Sequence, residues 1–340
     1  MTTTIEIQSH RVATSAGIQL TPTESRLVPI GRGAQRYGAE LDAIGADHLG
    51  IHAVSLETPI VKRARRSWRA FRKAHGYVGD APLLTPPASQ PKLGKSAAPT
   101  YGLMLTPERG VGLDGVNLCP AATACAQVCI TYTGKGAFSS VQRARQVRTL
   151  WLLSEPELAG ALIVWELLRA SVRHREPIRV RLNVLSDIRW ESVAPLLMST
   201  ARAFAPLYSR TGHAQQPGAL TSKQFPRPGI VFYDYTAYRP ELRRGGNGYR
   251  LTFSRKERGA LSRPDTLRAI LRSGSNVAVV FDTPRGAPLP ERYLGHRVID
   301  GDLSDDRTSD PHGVVVGLRA KGPARRDTSG FVVPVAELGD

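Results

Sequence analysis

Cysteine occurs three times in this 340-residue chain, and all three fall within eleven residues, Cys119-Pro-Ala-Ala-Thr-Ala-Cys125-Ala-Gln-Val-Cys129. With no further cysteine to build a disulfide framework, thiols this close suit a soft metal centre in a reducing compartment better than oxidative stapling. A cytoplasmic protein is therefore expected. Five and three residues intervene, unlike the paired Cys-x2-4-Cys knuckles of structural zinc sites. Three thiolates with one position open fit a [4Fe-4S] cluster that keeps one iron for a small ligand. They equally fit zinc completed by an Asp or a His such as His312. The structural alternative is that Cys119, Cys125 and Cys129 are small apolar residues packed inside the fold.

A second set of reactive residues follows the apolar runs of the chain. Ser186 and Asp187 follow the run 178–185, Asp234 and Thr236 end the next, Ser254 follows 249–253, and Asp282 follows 276–281. Asp300-Gly-Asp302 follows 297–299. If these runs are parallel strands, the polar groups converge on one rim, where Asp187 is the leading carboxylate for nucleophilic or proton-transfer work and Asp234 and Asp282 are weaker ones. Ser186, Ser254 and Asp302 are candidates to hold a ligand. The plainer roles for Asp187 are a helix N-cap or a partner for Arg189. The segment 300–312 carries five aspartates without the ligand spacing of an EF-hand, and reads as a surface turn held by Arg307 or as a magnesium or ligand contact.

The elements that must position these groups change character along the chain. Residues 1–78 form a basic extension, 79–99 a Pro- and Ala-rich linker, and 100–335 a domain in which strands alternate with helices. The glycines of Gly31-Arg-Gly33-Ala-Gln-Arg-Tyr-Gly38 have the wrong spacing for a nucleotide loop. Strands are expected at 101–105, 178–185, 230–235, 249–253, 276–281, 297–299 and 314–318, with helices from Ser139 or Ser140, from a Ser154–Glu157 capping box to about Arg173, at 191–204 and at 264–272. On the helix after Ser139, Val141, Ala144, Val147 and Leu150 share one side, with Arg143, Arg145 and Arg148 largely on the other. The pattern predicts an α/β fold, a partial or complete parallel (β/α) barrel, with an open doubly wound sheet as the alternative.

Charge points to the partner. Lys and Arg total 46 against 29 acidic residues, a formal net charge of +17. Such a surplus implies an anionic partner, nucleic acid before a membrane surface. The densest run packs seven basic residues into twelve, with Arg63, Arg65, Arg66, Arg69, Arg72 and Lys73 as candidate phosphate contacts around Trp68 and Phe71. No apolar stretch is long enough to span a bilayer, and no Walker loop or Gly-x-Ser-x-Gly elbow occurs. The oligomeric state is not encoded in any of these patterns.

Taken in order, Asn117 to Cys129, Gly134-Lys-Gly-Ala-Phe138, Val141-Gln-Arg-Ala144, Arg148-Thr149, Arg181-Leu-Asn-Val184 with Ser186-Asp187, Phe232-Tyr-Asp-Tyr-Thr236 and Leu251-Thr-Phe-Ser254 resemble the "gene product 88" domain of phages and mobile elements, over about residues 100–322. The resemblance implies a phage or prophage origin rather than a particular reaction. Where that family often has Cys-Tyr, Gly-Asp and a lysine after Tyr-Thr, this chain has Cys129-Ile130, Ser186-Asp187 and Thr236-Ala237.

Two functions are consistent with these residues. The first is a metal- or iron–sulfur-binding enzyme acting on nucleic acid or a nucleobase. Its chemistry would be radical, with S-adenosylmethionine on an open iron, or transglycosylase-like, with Asp187 attacking a sugar carbon. The second is a nucleic-acid-binding protein of a mobile element in which the cysteine loop is purely structural.

Overall fold

A computed structural model describes residues 59–77, 81–89, 93–96, 98–107, 117–129, 131, 133–171, 173–174, 176–190, 229–244 and 249–338. The expected glycine loop near residue 31 and the helix expected at 191–204 lie outside the described residues. Helix α1 (Pro59–Ala74) starts on proline, which suits the first turn because its missing N–H has no intrahelical partner there. It buries Val61, Ala64, Trp68 and Arg72 at helical spacing. It stops where Gly76 takes a left-handed φ of 66° and the Tyr77 N–H closes onto the Arg72 carbonyl. Two further helices, α3 (Ser139–Ser154) and α4 (Pro156–Ser171), pack with it. Between α1 and α3 the chain contributes β1 (Leu84–Thr85), β2 (Thr100–Leu103) and the four-residue α2 (Ala124–Gln127).

The sheet continues with β3 (Ile178–Arg181), β4 (Ile230–Thr236), β5 (Tyr249–Ser254), β6 (Asn276–Phe281), β7 (Arg292–Tyr293), β8 (His296–Asp300), β9 (Val315–Arg319) and β10 (Val332–Val333), with α5 (Pro264–Arg272) leading into β6. Strand order is β1-β2-β3-β4-β5-β6-β9-β8-β7, with β10 added to β6. Every pairing is parallel except the edges, β1 with β2 and β7 with β8. The architecture is thus α/β, and the described strands form an open sheet whose ends do not pair with each other. Because the central strands run the same way, their carboxyl ends share one edge, as the sequence implied for Asp187 and its counterparts.

Both faces are covered, which is why β4 is buried along nearly its whole length. On one face Ile178, Val180, Ile230 and Phe232 pack against Trp68, Trp151 and Leu162 of the helices. The Trp68 and Trp151 rings meet at 5.1 Å, and burying each such side chain contributes roughly 1.5–3 kcal/mol. A second core gathers Leu267, Ile270 and Leu271 of α5 against Val277, Val279, Phe281 and Val315.

Three local expectations need correction. Ser154 donates to the Trp151 carbonyl of its own helix, at 3.2 Å, instead of capping α4. No serine caps α3 either: Phe138 stands at its N-cap. Arg145 and Arg148 are buried rather than outward, because Arg145 is needed to hold the Thr131 carbonyl at 2.9 Å.

The aspartate-rich segment is held by Arg307 as expected, through Asp310 at 3.3 Å, but its middle is not on the surface. Asp305, Asp306, Arg307 and Thr308 are buried, covering the face of the sheet opposite α1, α3 and α4. Arg181 donates to both Asp305 oxygens at 2.9 Å, Tyr233 reaches one of them at 3.3 Å, and Arg179 pairs with Asp306 at 3.2 Å. Alternate residues of β3 face opposite ways, so the strand that sends Val180 into the apolar core must send Arg179 and Arg181 to this side, where they are matched by carboxylates.

Candidate functional site

The cysteine loop lies across the carboxyl ends of the strands. The Asp187 N–H donates to the Leu118 carbonyl at 2.7 Å, and the Cys119 thiol to the Leu185 carbonyl at 3.4 Å, fastening the loop to the chain leaving β3. Further along, Lys256, two residues past β5, places its Nζ 2.7 Å from the Cys125 sulfur. Lys256 is only 4% exposed, and its neighbour Glu257 accepts from the Thr123 hydroxyl at 3.0 Å and the Ala124 N–H at 3.3 Å at the start of α2. Burial works against the Glu257 charge, but those backbone and hydroxyl donors outweigh it and hold the carboxyl below its ordinary range.

Cys129 donates instead to Thr131, at 3.1 Å. The Thr131 carbonyl is held from α3 by Arg145 and Gln142. An added Cβ at Gly136 would sit 2.5 Å from the same oxygen, so only glycine fits there without displacing the segment.

Beneath this loop lies a buried polar network. Asp187 takes the Arg243 guanidinium on one oxygen, at 2.7 Å, and the Ala237 N–H and Thr236 hydroxyl on the other, at 2.7 and 3.2 Å. Arg243 also donates to the Tyr249 hydroxyl, at 3.0 Å, and that hydroxyl donates to Asp234. Asp234, fully buried, accepts in addition from the Asn183 N–H and side-chain amide, at 2.9 and 3.1 Å. Asn183 in turn holds Ser186, the Ile188 N–H and the Trp190 indole, so one amide shapes the whole turn that carries Asp187.

Two carboxyls share essentially one guanidinium, and burial dominates both. Asp234 is pushed up to about 7, against the pull of Arg243 and Arg181, and Asp187 is raised by the same desolvation against Arg243 and the Ala237 N–H.

The structure therefore brings Cys119, Cys125, Ser186, Asp187 and Asp234 to one region, and separates others from it. Asp282 accepts the Val335 N–H at 2.9 Å and holds the C-terminal turn. Asp302 is tied to Arg319 and Lys321. Ser254, half-buried, ends β5 just before Lys256. His312 contacts the Gly274 carbonyl, ahead of β6 at the opposite edge of the sheet, which removes it as a ligand for the cysteines. Nor is Arg189 the partner of Asp187: it turns to the Leu242 carbonyl, and Arg243 takes its place.

The three sulfurs face three different groups, and among the described residues no set of three His, Cys, Asp or Glu side chains is gathered as a metal site. As placed, they do not form a ligand set. Arg243, Tyr249, Lys256 and Glu257 are the site residues that sequence reasoning missed. Only Lys256 and Glu257, separated from Ser254 by Arg255, carry a signal, being polar residues close to a strand end.

The basic helix divides into two populations. Arg63, Arg66, Arg69 and Lys73 are exposed. Arg65 lies half-buried over the Trp165 ring, at 4.7 Å, and Arg72 is buried between Trp68 and Tyr77, so those two serve packing before they could serve phosphate. No helix among the described residues is long and apolar enough to cross a membrane.

Compared with known proteins, residues 79–334 match the family model described as Gene product 88. No curated protein and no solved structure matches the chain.

Proposed function

The chain belongs to the Gene product 88 family, and from that premise we propose that it is a phage- or prophage-type enzyme acting on a nucleic acid or nucleobase at the carboxyl ends of its parallel strands. The observation that carries this reading is the contact of Lys256 with Cys125 at 2.7 Å, on a loop fastened two residues before Asp187. A sulfur paired with a buried amine is an arrangement for nucleophilic chemistry: the amine takes the thiol proton, the sulfur adds across a ring double bond of the base, and the amine returns the proton to the ring atom that receives the electron pair. Asp187 has both oxygens engaged and acts as a positioning residue, fixing the turn to which the Cys119 end of the loop is fastened. The chain's +17 charge supports an anionic substrate.

No step of this reading is routed through zinc or an iron–sulfur cluster, although Cys119, Cys125 and Cys129 share one loop that could still gather around a metal. Anaerobic purification followed by metal and sulfide analysis tests that point: stoichiometric zinc, or iron with sulfide, would make the thiols ligands rather than nucleophiles.

The test of the reaction is incubation with DNA and RNA, followed by mass spectrometry of the nucleosides and of the protein. Cys125→Ser and Lys256→Met should each lower product formation at least ~100-fold, the scale of a lost nucleophile or proton carrier, while Cys129→Ser retains most of it. Unchanged product with Cys125→Ser would sink the proposal.

The second reading, a nucleic-acid-binding protein with a structural cysteine loop, is favoured by the full engagement of Asp187. It predicts steep salt dependence of binding, no product, and indifference to both substitutions.

A further inference from the structure

Away from the strand ends, α1, α4 and the segment leading through β1 enclose a cavity of about 340 Å³. Five arginines line it, Arg65, Arg69, Arg72, Arg169 and Arg173, against a single carboxylate, Glu166; Arg65 and Arg72 are engaged on aromatic rings, and Arg69 and Arg173 are exposed. That carboxylate is already committed, its two oxygens accepting from the Leu83 and Leu84 N–H groups at 2.9 and 2.7 Å. Arginine cannot relieve crowding by losing its proton, so a recess with this excess of fixed positive charge is a site for anions.

The wall is aromatic as well as cationic: Trp165, only 7% exposed, is clasped by Arg65 and Arg169 at 4.7 and 4.6 Å from its ring, which fixes both side chains at the cavity.

The cavity also has an approach. Lys62, Arg66, Arg69 and Lys73 stand at helical spacing on the exposed side of α1, and Arg69 belongs both to that stripe and to the cavity wall. The stripe extends about 16 Å along the helix axis.

We propose that this cavity seats a backbone phosphate of a single-stranded nucleic acid, with the α1 stripe meeting the phosphates on either side. A single strand can dip one phosphate into a recess, which the stiff outer surface of a duplex does not allow. The proposal rests on the nucleic-acid part of the reading above, and adds a binding site in which Arg169 and Arg173 of the α4 end, absent from the basic run of α1, take part.

The experiment is fluorescence anisotropy of a labelled single-stranded oligonucleotide with the full chain over a salt series, with tryptophan emission recorded in parallel. Arg69→Glu and Arg173→Glu alter exposed residues, and each should weaken binding by about tenfold or more and lower the salt slope by about one contact. Trp165→Phe should remove a large part of the emission change.

Tight binding that ignores Arg69→Glu and Arg173→Glu would overturn the cavity assignment while leaving the enzyme reading intact. No binding to any oligonucleotide would overturn the cavity assignment together with the nucleic-acid part of the enzyme reading. Equal affinity for duplex DNA, or for a mononucleotide or inorganic phosphate tested alone, would overturn the single-strand assignment.

Discussion

The polar network at the strand ends and the one under the aspartate-rich turn use the same parts in different proportions. At the strand ends, Asp187 and Asp234 share Arg243, and the closest further cation, Arg181, stands 3.8 Å from Asp234. Across the sheet, Asp305 and Asp306 are met one for one by Arg181 and Arg179. Where carboxyls and guanidiniums are matched, the ion pairs hold the turn down over β3 and β4. Where carboxyls outnumber their partners, burial prevails, and Asp234 becomes an acid that exchanges its proton near neutrality. One region is built to stay put, and the other keeps a titratable group beneath the cysteine loop.

The sharpest way to break this contrast is to remove one arginine from each side. Arg181→Met should be the most damaging, costing about 3–5 kcal/mol, because it leaves Asp305 buried without its partner. Arg243→Met should cost a similar amount at pH 8 but less at pH 5.5, where Asp234 carries a proton and less negative charge is left uncompensated. Urea denaturation at the two pH values decides it, and equal losses at both would erase the distinction.

Next in size is the pH dependence itself. The Asp234 carboxyl is raised to about 7 in the folded protein, above its unfolded value of about 3.9, so the native state binds the extra proton. Its stabilising contribution is complete below about pH 4 and is lost as pH rises through about 7. Glu166, also raised to about 7 mainly by burial, has the same sign. Stability should therefore fall by a few kcal/mol between pH 5 and 8, at about 1.4 kcal/mol per unit of displacement. Asp234→Asn and Glu166→Gln should each flatten part of that slope. A slope that survives both substitutions would mean that neither group titrates there.

A smaller effect is expected at the cysteine loop. Gly136→Ala pushes on the Thr131 carbonyl and should cost about 1–3 kcal/mol. Because that carbonyl is held from α3 and not by either acid network, the loss should be the same at pH 5.5 and 8. The least effect belongs to Arg63→Ala, an exposed residue of α1, which should stay within about 0.5 kcal/mol by thermal denaturation.

Several elements were legible because their signals are local. The strand Asn276–Phe281 and the helix Pro264–Arg272 fall where apolar periodicity and an initial proline place them. The cysteine loop follows β2 in the chain, which in a parallel sheet leaves it at the carboxyl edge. One miss is local and one is not. Ser154-Glu-Pro-Glu157 has the letters of a capping box, yet the hydroxyl found the nearer carbonyl of Trp151. Asp305 and Asp306 have the composition of a surface turn, and only the arginines of β3, more than a hundred residues earlier, draw them inside.

By itself the sequence determined the α/β alternation, the common edge for Asp187, Asp234 and the cysteine loop, and the cationic character of α1, since each follows from periodicity, strand direction or charge along a short stretch. Only the tertiary structure decided which acid met which arginine, that Lys256 rather than His312 stands beside a cysteine, and that Arg169 and Arg173 join α1 around one cavity. Those outcomes depend on which residues far apart in the chain come within a few ångströms, and on the burial that then sets their charge. Neither quantity is written in any local pattern.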